Sequence, residues 1–181
     1  MFQYILSDIR SVLHFWPYGV AAGIFVLMFL LFANYVRGRR GKGKLAVTGT
    51  VFFYMYLAII FAITFFSREN GAGRVMDLEL FSSWGINDRN NAYVVENVLL
   101  FVPYGIFCAW YLAGSAGFLK NGAIGLFTSV LVECLQLFTG RGVFQIDDIL
   151  TNCLGSVIGY CIFCIVAAIL SRKQRKGRGE A

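Results

Sequence analysis

Residues 129–159 read SVLVECLQLFTGRGVFQIDDILTNCLGSVIG. On an α-helix Ser129, Glu133 and Gln136 fall on one face, at spacings of four and then three. A short polar break at Gly140, Arg141 and Gly142 leads to adjacent acids, Asp147 and Asp148. Asp148, Asn152, Gly155 and Gly159 then share a face of a second helix. Both flanks are otherwise apolar, so the pattern predicts a helical hairpin whose polar faces meet near its tip. An ionisable side chain in an apolar helix is costly to bury, which makes it a functional-site hypothesis by default.

Outward from that hairpin, the composition excludes an ordinary soluble domain. The 181 residues are 58% hydrophobic, 17% aromatic and 14% charged, with a mean hydropathy of +0.67. Apolar runs of the roughly 20 residues needed to cross a bilayer recur along the chain. The expected fold is all-α: a polytopic membrane helical bundle of about five transmembrane helices. Spans are expected at 18–36, 45–66, 93–113, 122–138 and 148–170, within one transmembrane domain over 18–171. A polar segment, 69–92, separates the second and third. Residues 1–17 carry Phe2, Ile5, Leu6, Ile9 and Leu13 on one stripe and read as an interfacial amphipathic segment. A cleaved signal peptide fits less well, for want of a basic start and a small-residue cleavage site. Residues 172–181 form a basic tail.

Positive charge in short flanking segments marks the cytoplasmic side. Arg37, Arg39, Arg40, Lys42 and Lys44 form one basic run; Arg172, Lys173, Arg175, Lys176 and Arg178 form the other. Four spans separate them and return the chain to the same side. The N-terminus is therefore expected outside and the C-terminus in the cytoplasm. Arg68, Glu96, Asn97, Glu133, Gln136, Arg141, Asp147, Asp148 and Asn152 then all fall at or near outer helix ends, and of ten acids only Glu180 lies on the cytoplasmic side. Glu133 would sit ~7 Å below the boundary, at 1.5 Å of rise per residue. At that depth it needs a partner, and Arg68 or Arg141 could supply the charge.

Glu133 and Asp148 are the candidate catalytic residues, as general acid, base or orienting group; the bland reading makes them an ion pair or hydrogen bond tying helices together. Asp147 suits a helix-capping role and, with Glu96, Asn97, Gln136 and Asn152, offers substrate contacts. Arg68 and Arg141 could grip a phosphate or carboxylate. The acids could offer oxygen ligands to Mg²⁺, Mn²⁺ or Ca²⁺, yet no carboxylate spacing is diagnostic and no His or Cys cluster suits zinc. No metal is assigned, and the cofactor is unknown. Cys108, Cys134, Cys153, Cys161 and Cys164 lie in spans and read as small apolar residues. Gly155-x-x-x-Gly159 reads as a close-packing helix face. The basic runs suit topology and anionic lipid, not nucleic acid.

These residues resemble the VanZ-like family of small membrane proteins. The matching pieces are Asn97-Val-Leu-Leu-Phe101-Val-Pro103-Tyr-Gly105, Glu133-x-x-Gln136, and Arg141 followed by Asp147-Asp148, Asn152, Gly155 and Gly159. They cover about residues 64–160. Many members have an acid two residues before the Asp pair, where this chain has Gln145. The resemblance implies a multi-pass protein of the bacterial cell membrane, linked to teicoplanin-type lipoglycopeptide resistance at the outer face.

Three functions follow. The first is an outward-facing polar site that binds an amphiphile, contributing to lipoglycopeptide resistance or to handling of envelope lipids and precursors. The second is a membrane enzyme acting on a lipid-linked phosphate or glycan by carboxylate acid/base chemistry. The third is a lipid or small-molecule transporter, which needs polar residues continuing toward the cytoplasm. The expected partners are membrane lipids, with a lipid-linked cell-wall precursor or a lipoglycopeptide as ligand. The residues leave open whether the chain is an enzyme, and in what oligomeric state.

Overall fold

The computed structural model describes residues 1–66, 75–112 and 117–179. They form helices α1 (Phe2–Val12), α2 (Trp16–Arg39), α3 (Thr48–Phe66), α4 (Asp88–Tyr111), α5 (Phe118–Thr139) and α6 (Ile146–Gly179), with a 3-10 turn, Leu13–Phe15, joining α1 to α2. Among the described residues four helical stretches are long and apolar enough to cross a membrane: Phe2–Arg39, Asp88–Tyr111, Phe118–Thr139 and Ile146–Lys173. Thr48–Ile63 adds a shorter apolar helix. Five apolar helices thus make an all-α membrane bundle. Their outward faces are Phe, Leu and Ile, for example Phe25, Met28, Phe29 and Phe32 on α2, as lipid requires.

Packing depends on helices coming close. Gly155 lies against the Val98 carbonyl, and Gly159 against the Val102 carbonyl and the Gly105 backbone. These pairs run in the same order along α4 and α6, so the two helices are parallel neighbours with backbones almost touching. Without a hydrophobic drive between helices in lipid, such small-residue approaches supply the association. Gly19 and Gly23 do the same for α2 against Ile59 and Met55 of α3. Between α3, α4 and α5 lies an aromatic core of Phe53, Ile60, Phe101, Tyr104, Cys108 and Val132. Phe53 stacks on Tyr111 at 5.0 Å, and the Tyr56 hydroxyl donates to the Leu100 carbonyl at 2.7 Å.

Some boundaries differ from the sequence expectation. α4 begins at Asp88, inside the expected 69–92 loop, because the Asn87 side chain caps it by accepting from the Asn90 N–H at 2.9 Å. α6 runs to Gly179, through the expected tail. The 69–92 segment also contains β1 (Met76–Asp77), which pairs in parallel with β2 (Phe144–Gln145), Met76 opposite Phe144. The connection is thereby fastened to the tip of the α5–α6 hairpin. α5 ends on Gly140 at φ 66, with the Arg141 N–H returning to the Gln136 carbonyl at 3.1 Å.

A side chain at Gly159 would collide with α4 backbone that cannot move aside. Gly159→Ala is expected to cost about 1–3 kcal/mol, read as a lower unfolding midpoint in detergent. Gly122→Ala, whose added carbon meets nothing within 4 Å, should not lower that midpoint.

Candidate functional site

Glu133 is 1% exposed, at the hairpin end of α5. Its Oε2 accepts the Gln145 N–H at 3.0 Å. A charge or acid so deep needs hydrogen bonds, and the return strand β2 folds down beside α5 to supply one. Gln145 therefore contributes to the site through its backbone. Its side chain donates to the Ser83 hydroxyl at 3.4 Å.

One turn deeper, the Asn152 amide donates to the Ser129 hydroxyl at 2.9 Å, joining α6 to α5. Gln136, Asp148 and Asn152 are all buried, as is Asp147. Asp147 does more than the helix-capping expected of it. Its two carboxylate oxygens accept the Phe81 N–H at 2.7 Å and the Ser83 N–H at 3.0 Å, so it clasps the 81–83 turn. Within that same segment, the Ser82 hydroxyl and the Glu79 N–H both donate to Asp77.

On α4, Glu96 and Asn97 face the hairpin end at different angles. Glu96 lies near Asp8 and Arg89, on the α1 side. There Arg89 pairs with Asp8 at 2.9 Å, its guanidinium lies over the Tyr93 ring at 4.5 Å, and the Met1 amino group pairs with Asp88 at 3.0 Å. Arg141 is half-buried at the bend. Arg68, the other arginine expected here, lies outside the described residues. Among the described residues no three His, Cys, Asp or Glu side chains gather as a metal-binding group.

The polar stripe continues where the sequence reading stopped. Ser156 donates to Asn121 at 3.3 Å, Asn121 to the Gly105 carbonyl at 3.4 Å, and Tyr104 and Thr128 share a 2.6 Å hydrogen bond. Ser156 stands four residues after Asn152 on the stripe, so extending the same spacing one turn would have found it. The two ends differ in one respect. Toward the end of the bundle opposite the hairpin these groups are mutually bonded. At the hairpin end four buried atoms have no hydrogen-bond partner among the described residues: Glu96 Oε1, Asn97 Nδ2, Gln136 Oε1 and Asn152 Oδ1.

A family model described as VanZ/LLP1 matches residues 51–167, which include every one of these groups on α4, α5 and α6. The chain belongs to the VanZ/LLP1 family. It is similar to the protein described as Protein VanZ of Enterococcus faecium, at 25% identity over 138 residues, 73% of this chain and 82% of that protein. No solved structure matches it. Family membership together with the apolar helices makes it a multi-pass bacterial membrane protein.

Glu133→Ala would leave the Gln145 N–H without its acceptor and is expected to destabilise the chain by about 1–3 kcal/mol. Glu133→Gln keeps a side-chain oxygen for that bond and should unfold near the wild-type midpoint. Thermal unfolding in detergent separates the two.

Proposed function

We propose that the hairpin end of the bundle is an outward-facing binding site for an amphiphile of the cell envelope, and that through it the protein contributes to teicoplanin-type lipoglycopeptide resistance. The observation that carries this reading is the distribution of unsatisfied groups. Buried polar atoms are normally hydrogen-bonded, and the exceptions call for a reason. Among the described residues the exceptions fall in the hairpin-side halves of α4, α5 and α6, with Glu96 turned toward α1 and Asn97, Gln136 and Asn152 on the other three positions. Three are acceptors and one is a donor, so the ligand part that fits best offers hydroxyl or amine hydrogens. Lipoglycopeptides carry such groups beside an acyl chain, and lipid-linked wall precursors carry them beside a polyprenyl chain. Arg141, at the bend, would meet an accompanying phosphate or carboxylate. The basic runs at 37–44 and 172–178 support the outward orientation.

The paired deeper groups weigh against a transport path, since each is already consumed by a neighbour. A second reading keeps the same site and adds chemistry. Glu133 and Asp148 are buried carboxylates on adjoining helices, suited to acid/base work on a lipid-linked phosphate or glycan.

In susceptible cells, expression of the wild-type chain should raise the teicoplanin concentration that stops growth. Asn152→Ala and Glu133→Gln, at equal membrane abundance, should abolish the protection. Undiminished protection in both variants would remove these residues from the site. Product formed from a lipid-linked precursor by purified wild type, and not by Glu133→Gln, would select the enzymatic form.

A further inference from the structure

Residues 75–86 read VMDLELFSSWGI and carry a largely apolar surface, broken by the exposed Glu79. Leu78, Leu80, Phe81, Trp84 and Ile86 are all exposed, Phe81 by 75%. Phe81 also has a φ of 62, a left-handed conformation rare for a bulky residue. The strain is held by Asp147, which accepts the N–H of Phe81 and of Ser83. The result is a turn locked with its phenyl ring pointing away from the protein.

Two further features fix what covers this surface. The first is depth. β1 pairs with β2, and the Gln145 N–H reaches Glu133, which precedes the last residue of α5, Thr139, by six residues. At 1.5 Å per residue Glu133 lies ~9 Å before the end of α5, so the strand pair bonded to it sits beside the helix and not beyond its end. The second is satisfaction of its polar groups. Asp147 takes two of the segment's N–H groups, Asp77 takes the Glu79 N–H and the Ser82 hydroxyl, Asn91 takes the Gly85 N–H, and the Val75 carbonyl accepts from Phe144. Non-helical backbone at membrane depth persists only where its groups are paired within the protein.

We infer that the 75–86 segment is immersed in the lipid leaflet at the hairpin end of the bundle, with Phe81 and Trp84 as its anchors and Asp147 as the latch that holds them there. Its occupant is bilayer lipid at the boundary between headgroups and acyl chains, the level at which Trp and Phe partition. Such a segment brings the mouth of the buried polar cluster into the leaflet itself, where an acylated ligand resides. The inference does not depend on which side of the membrane the hairpin faces, nor on the ligand.

The test uses the full chain with Trp16→Phe and Trp110→Phe, leaving Trp84 as its one tryptophan, in vesicles with iodide on both sides. Lipids brominated near the glycerol end of the acyl chain should quench the emission strongly, as for an interfacial anchor. Lipids brominated near the chain methyl should quench less, and iodide should quench little. Emission quenched by iodide and indifferent to either brominated lipid overturns the inference. Adding Asp147→Asn should raise iodide quenching and reduce that by shallow bromine. Unchanged quenching would show that Asp147 is not the latch. Because teicoplanin susceptibility does not enter, failure here is distinguishable from failure of the proposed function.

Discussion

A carboxyl group buried between apolar helices must be given hydrogen bonds or it will not stay there. Glu133 sets that constraint, and the hairpin is built to meet it. The chain leaving α5 turns through left-handed Gly140, descends beside the helix it has just left, and delivers the Gln145 N–H to Glu133. That descent creates β2, β2 provides an edge for β1, and β1 draws the 75–86 segment onto the hairpin. Asp147, at the start of α6, completes the fastening. One buried acid thereby connects α5, α6 and the 75–86 segment, which precedes it by some fifty residues in sequence.

Close approach of helices does the remaining work. With Gly155 and Gly159 against the backbone of α4, the polar faces of α4, α5 and α6 are brought within reach of one another. Where short side chains find each other, as with Ser129 and Asn152 or Ser156 and Asn121, they bond and tie the helices. Toward the hairpin four amide and carboxyl atoms have no hydrogen-bond partner among the described residues. On the proposed reading, the same stripe of polar residues passes there from structural glue to ligand binding.

Much of this is legible in the chain itself. The polar spacing on α5 and α6 identifies the hairpin and places Glu133, Gln136, Asp148 and Asn152 in a buried set. Apolar length gives the helices, since lipid leaves few alternatives to a helix. The rest depends on non-local contacts that no local pattern announces. The parallel pairing of Met76 with Phe144 joins segments with no shared periodicity. Asp147 reads as a cap because acids favour helix starts, and only the fold brings the Phe81 and Ser83 N–H groups to it. Glu96 shares the helix end with Asn97 yet belongs to the α1 side, near Asp8 and Arg89.

The functional reading requires above all that the hairpin face away from the cytoplasm. Accessibility labelling tests this most directly, in a chain whose five native cysteines are replaced and which carries either Thr139→Cys or Arg40→Cys, both at exposed positions. In intact cells a membrane-impermeant maleimide should label the cysteine at 139 at once, and the one at 40 only after permeabilisation. The reverse order would put the polar cluster on the cytoplasmic side and contradict a role in meeting ligands outside the cell.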